Sequence, residues 1–310
     1  MSKNLSIIMY HYVRPIANSS YPNIKGLEID GFKRQLDYFQ ENNSIVSAED
    51  VIDASYKSKK LPTNPVWLTF DDGYKEHIDY VLPELKKRGL QGSFFPSVKP
   101  IIKGSLLDVN AIHFILDVVT DEKMLISSLK EECLNHGISK KKYNNLMDSM
   151  NKKCRYDSKS VTFFKRLLQR DLPLEIRNSI LSKLFKKFTK ITSENDCCKE
   201  LYMSEADIKN LIAEGMYVGC HSYSHCWLNS IDYNSQLKEI NLSIEFLEKL
   251  GVPTKNWIMN YPYGAYNKDT LKILKELNCA IGITTKPGKV TLGKSDPLQY
   301  SRFDTNDYPQ

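Results

Sequence analysis

Short apolar runs of strand length recur along the chain at 5–10 (LSIIMY), 65–70 (PVWLTF), 92–98 (GSFFPSV), 216–220 (MYVGC), 256–260 (NWIMN) and 279–284 (CAIGIT). Between most of them, apolar residues return with the period of a helix, over 30–42, 75–88, 204–214, 232–250 and 267–277. Boundary signals agree with these spans. Ser204 is followed three residues later by Asp207, an N-terminal capping pattern, and Gly89, Gly215 and Gly251 stand where helices should stop. Strands alternating with helices predict an α/β fold on a parallel sheet, open or closed on itself, and the closed barrel is the expectation.

Residues 101–202 break the alternation. They hold no convincing strand and several helical patterns, such as FFKRLLQRDLPLEIRNSILSKLFKKF. So much helix between two strands of an alternating fold predicts an insertion, a lid or cap, leaving 1–100 and 203–310 to form the barrel. The segment is also basic: residues 121–200 carry 18 Lys and Arg against 11 Asp and Glu. Solvated helical faces explain such a balance; the functional alternative is attraction to a phosphate-bearing substrate or peripheral contact with an anionic membrane surface.

Composition narrows the class. The 310 residues are 41% hydrophobic and 26% charged, as expected of a globular protein with a sizeable core. A net charge of +6 is too mild an excess to argue for nucleic acid. The start, MSKNLSIIMYHYV, reads as neither a signal peptide nor a membrane anchor. Seven cysteines, an odd number with no C-x-x-C pair, read as reduced thiols, so a cytoplasmic location is expected.

Candidate chemistry gathers where strands end. VWLTFDDGY (66–74) closes an apolar run on two adjacent carboxylates, Asp71 and Asp72, whose charges repel unless a cation relieves them. His221 and His225, in HSYSH, follow another strand, and a spacing of four would put both imidazoles on one face of a helical turn, within reach of one metal ion. His11 ends the first strand, and Tyr261-Pro262-Tyr263-Gly264 follows a fourth. In a parallel sheet the carboxyl ends of the strands converge on one rim, where active sites of such folds lie. Two histidines and one carboxylate would leave a position open for water or substrate, the mark of a catalytic metal.

TFDDG, HSYSH and YPYG, in that order, resemble the first three motifs of the polysaccharide deacetylases, the carbohydrate esterases that share the NodB homology domain. The resemblance covers roughly 1–100 and 203–310. It implies a distorted (β/α) barrel of about seven parallel strands, and a divalent metal, usually zinc, with cobalt, nickel or manganese as alternatives. It also implies metal-dependent removal of an acetyl group from an N-acetylated sugar. Carried over by residue, Asp72, His221 and His225 are the metal ligands and Asp71 is the general base, while the main-chain N–H of Tyr263 serves the oxyanion.

Two departures stand out. No histidine follows His225, where the family has its proton donor; His11, in Met9-Tyr10-His11, is the replacement, as in the permuted branch that deacetylates poly-N-acetylglucosamine. The arginine expected before Pro-Tyr-Gly is also missing, with Asn260 and Tyr261 at those positions, and Arg302 is the candidate to hold Asp71 ionised. Asp304 or Asp307 would orient His11 or cap a turn. His77 is expected to face solvent, Trp67 and Trp257 to be core, and Trp227 to be core or a sugar-stacking platform.

The leading expectation is therefore a metal-dependent de-N-acetylase acting on a nucleotide-linked, lipid-linked or oligosaccharide amino sugar of surface-glycan synthesis. A deformylase or amidase on another C–N substrate, and a glycan-binding protein without turnover, are the alternatives.

Overall fold

The computed structural model describes residues 4–57, 59–149 and 157–310. Its strands are β1 (Asn4–Tyr10), β2 (Ser44–Ile45), β3 (Pro65–Asp72), β4 (Ser93–Pro96), β5 (Tyr217–Val218), β6 (Ile258–Asn260), β7 (Ile281–Ile283), β8 (Val290–Thr291) and β9 (Phe303–Asp304). Each of the six apolar runs named above overlaps one of them.

Parallel pairing runs from β9 to β1, β3, β4 and β5. A bridge from Cys220 to Met259 carries the order on to β6, which pairs in parallel with β7. A second bridge, from Ile283 to Tyr300, returns it to the segment that enters β9. The ring closes, and the fold is a distorted (β/α) barrel, with two of its joints made by single bridges. Beside the Cys220 joint the packing is so close that a Cβ on Gly219 would stand 2.5 Å from the Phe95 ring and 3.0 Å from Ile258 O.

Three strands were not legible: β9 within this ring, and β2 and β8 outside it. β2 adds to the start of β3, and β8 pairs antiparallel with Asn4 and Leu5 of β1. Each is two residues long, too short for any period to show.

Alternate strand residues enter two apolar clusters, as the pleat requires. Ile8, Leu68, Phe70, Phe94 and Met259 join Phe32, Leu36, Leu85, Leu211, Ile240 and Ile273 of the surrounding helices. Ile7, Trp67, Phe95, Ile258, Ile281 and Ile283 form the other cluster, which fills the barrel, and Trp67 Nε1 donates to Ser93 Oγ inside it at 2.7 Å. Covered on both faces, β3 is buried along its whole length.

Helices Ile29–Asn42, Glu205–Ala213, Tyr233–Lys249 and Lys268–Glu276 fall where the helical period put them. The span 75–88 is a π turn, His77–Val81, followed by helix Leu82–Lys87. Ser204 and Asp207 form the reciprocal cap, and Gly89, Gly215 and Gly251 all have positive φ. Helix Ala48–Tyr56, capped by Ser47 and Asp50, was not anticipated.

The chain divides into two compact units. One takes in the chain up to Pro15, Lys25–Ser105 and Asn195–Gln310; the other is Ile16–Ile24 with Leu106–Glu194. The second unit is helical among its described residues, with helices Asp108–Val118, Glu122–Asn135, Lys140–Asp148, Lys159–Arg166 and Leu174–Phe188. Its core includes Ile112, Ile115, Leu129, Phe164, Ile180 and Leu184. Ile16–Ile24 belongs to it because Asn23 binds the main chain and side chain of Asp117 and Tyr21 packs on Phe114. That partnership joins residues far apart in sequence and carries no local signal.

Candidate active site

β3 runs through both acids instead of ending before them. Asp72 takes φ 71° and Gly73 φ 78°, and Gly73 N–H closes a tight turn on Asp71 O. A Cβ at Gly73 would stand 2.7 Å from Pro96 Cβ and 2.8 Å from its Cα, so the turn against β4 admits only glycine. Two successive carboxylates thus leave the strand end toward different partners.

Asp72 meets the histidine pair. Its Oδ1 lies 3.2 Å from Nε2 of His221 and 3.2 Å from Nε2 of His225, and its Oδ2 accepts the Tyr74 hydroxyl at 2.7 Å. The histidines do not lie on a helical turn, as their spacing suggested. They sit on a loop in which Ser222 and His225 both have φ 56°. Side chains and main chain from elsewhere shape that loop: Glu239 accepts from Ser224 N and Oγ at 2.8 and 2.7 Å, and Ser97 Oγ donates to His221 O.

These residues fit a divalent ion. All three are buried, and their donor atoms lie within 4.8 Å of one another. His221 Nδ1–H donates to Asn260 O at 2.8 Å, which turns the Nε2 lone pair toward Asp72 Oδ1. A lone pair and a carboxylate oxygen 3.2 Å apart call for a cation between them, a proton or a metal. Tetrahedral ligands at about 2.0–2.2 Å from zinc are themselves about 3.3 Å apart, close to this spacing. Burial opposes the Asp72 charge, but a positive charge on the imidazole side, the shared proton or ion, outweighs it and holds the carboxyl well below its usual range. Burial also lowers the His225 pKa, against the pull of Asp72, which favours the neutral form that can ligate.

Asp71 meets Arg302. The guanidinium donates to both carboxylate oxygens at 2.8 Å, and also to Thr69 Oγ1, Asn260 Oδ1 and Thr284 O. Burial pushes the Asp71 carboxyl up, but Arg302, with His11 and His221 farther off, brings it down to about 2. Arg302 reaches this position from the segment between Tyr300 and Phe303, the seam where the barrel closes. His11 stands on the other side, its Nε2 3.7 Å from Asp71 Oδ2. Tyr263 has φ 58°, and its ring lies edge-on to His225 at 4.6 Å and stacked on Trp227 at 4.7 Å.

Other expectations change. His77 is fully buried rather than solvent-facing, its Nε2 bonded to His11 O at 2.8 Å. Asp304 and Asp307 form a reciprocal cap on the turn at 305–307. Trp67 and Trp257 are core. The described cysteines are all free thiols; Cys154 lies outside the described residues. Tyr74, Glu76 and Asn260 complete the surroundings. Tyr74 stands in the double-acid motif and Asn260 at the place of the missing arginine, whereas nothing in the linear chain marked Glu76 beyond its closeness to the double acid.

The family model described as polysaccharide deacetylase matches residues 58–153 and 186–282, more than half of the chain. A Bacillus subtilis (strain 168) protein named for that family, YxkH, is 28% identical over 87 residues, which are 28% of this chain and 31% of that protein. The match therefore spans under a third of that relative's length. The fold is shared with the Streptococcus pyogenes deacetylase PplD, solved in complex with acetate, at 18% identity and a TM-score of 0.59, over 97% of this chain and 92% of that one. It is also shared with IcaB from Ammonifex degensii, at 18% identity and a TM-score of 0.56, over 96% and 90% of the two chains. Among the described residues, no helix is long and apolar enough to cross a membrane.

Proposed function

The chain belongs to the polysaccharide deacetylase family, and from that premise we propose that it is a metal-dependent hydrolase that removes the acetyl group from an N-acetylated amino sugar. One observation carries this reading: a buried Asp72, His221 and His225 donor set adjoins a second carboxylate, Asp71, that Arg302 keeps charged.

Asp72, His221 and His225 would hold the ion, most simply Zn2+. When bound, it would acidify a water and polarise the acetyl carbonyl. The protein's own groups do the rest. Asp71 takes the proton of the attacking water; its low pKa keeps it ionised and ready at any neutral pH. Arg302 holds both of its oxygens, so the carboxylate cannot turn away. The main-chain N–H of Tyr263 donates to the carbonyl oxygen as charge develops there; the contact of its ring with His225 supports this role. His11 supplies a proton to the nitrogen as the C–N bond breaks, and its approach to Asp71 lets the proton taken from water travel on to the amine.

A nucleotide-linked, lipid-linked or oligosaccharide N-acetylamino sugar of surface-glycan synthesis fits this chemistry. The test is acetate release from UDP-N-acetylglucosamine and short N-acetylglucosamine oligomers by metal-free and zinc-restored protein, with Asp71→Asn as the blank. Zinc-dependent release that Asp71→Asn abolishes is expected. Full activity in Asp71→Asn would remove the proposed base.

A further inference from the structure

His11 is 42% exposed, so its side chain is not boxed in by packing. Its main chain, by contrast, is tied down at its own carbonyl and just beyond it. His77, fully buried, has Nε2 2.8 Å from the His11 carbonyl oxygen. A carbonyl only accepts, so Nε2 carries the proton and donates. Two residues on, the Val13 N–H donates to Glu76 Oε1 at 2.6 Å, and the Arg14 guanidinium pairs with Glu76 Oε2. Arg14 also lies over the Tyr12 ring at 4.7 Å, and Tyr12 stacks at 4.2 Å on Tyr74, whose hydroxyl binds Asp72. Residues 11–14 are therefore fastened to the turn just after the double acid by neighbouring residues of that turn.

We propose that His77 is a positioning residue for the reaction: by donating to the His11 carbonyl it fixes the peptide from which His11 reaches Asp71. The inference rests on the reading of His11 as proton donor. A peptide free to rotate would swing the exposed imidazole away from the leaving nitrogen, and a misplacement of about 1 Å costs roughly 100-fold in rate. Glu76 holds the following amide and leaves the His11 peptide to His77.

The test separates a proton-donor effect from general damage by the leaving group. An N-acetylglucosamine oligomer loses an amine and needs its proton. 4-Nitrophenyl acetate loses a stable phenolate and does not. His77→Leu removes the donor, whereas His77→Gln restores an N–H at about the same reach. Expected for His77→Leu is a 10- to 100-fold loss of kcat on the oligomer with at most a few-fold change on the ester, largely recovered in His77→Gln. In a His11→Ala background, His77→Leu should add nothing.

Because the ester rate reports the active protein in each preparation, a misfolded variant is recognised by equal loss on both substrates. If His77→Gln shows that equal loss too, or if the losses of His77→Leu and His11→Ala multiply, the positioning role is overturned and the reading of His11 stands. If His11→Ala alone keeps full oligomer turnover, both are overturned.

Discussion

Arg302 carries a permanent charge at 1% exposure, tolerable only because every donor direction is used: two on Asp71, the others on Thr284 O, Thr69 Oγ1 and Asn260 Oδ1. Arg302→Met should strand the Asp71 charge in the barrel and lower stability by about 3–5 kcal/mol in urea denaturation. Arg302→Lys should recover stability better than turnover, since an ammonium cannot hold both oxygens. His77 provides a pH signature. Burial lowers its pKa from 6.5 to about 4, so the unfolded chain takes up the proton first. Its contribution is therefore intact above about pH 6.5 and is lost as pH falls toward 4, at most about 3 kcal/mol. Urea midpoints of His77→Gln should fall less steeply than those of wild type over that window, and parallel curves would contradict the assignment.

The element that decides the donor set is the loop from Cys220 to Trp227, not a helix. Local spacing suggested one face of a helical turn, because i and i+4 share a face only when the backbone is helical. The loop instead brings the two rings together through φ 56° at Ser222 and His225, conformations stabilised by partners distant in sequence. Glu239, on helix Tyr233–Lys249, is the main one, taking both polar groups of Ser224. Glu239→Ala should leave thermal melting of the metal-free protein nearly unchanged while weakening zinc affinity about 10- to 100-fold in competition with a chelating dye. Among the other elements, length alone did not make a run legible: the nine-residue helix Ala48–Tyr56 was not. Helix Lys268–Glu276 was, and two-residue β2 and β8 were not.

At the scale of the molecule, two predictions follow from how the chain is divided. Zinc should raise the melting temperature of chelator-treated protein, by the equivalent of about 2.7 kcal/mol at a hundredfold excess over Kd, and Asp72→Ala should abolish the shift. The chain leaves and re-enters the barrel unit at adjacent points, since a Cβ on Gly104 would touch the Asn195 side chain. Replacing Leu106–Glu194 by a short Gly-Ser linker should therefore leave the far-ultraviolet circular dichroism of an α/β barrel and the zinc-dependent melting shift. Loss of both would show that the barrel needs the helical unit to fold. The sequence by itself determined the alternation of strands and helices, the long helical stretch between β4 and β5, and the residue types at the strand ends. Those follow from backbone periodicity and from motifs whose members lie close together in the chain. The sequence offered Arg302 only as a candidate partner of Asp71; the tertiary structure places it there, and it alone decided that His77 and Glu76 grip the segment after β1 and that Asn260 orients both His221 and Arg302. Each is a contact between residues dozens to hundreds of positions apart, made when the barrel closes, and local hydropathy carries no record of such a distance.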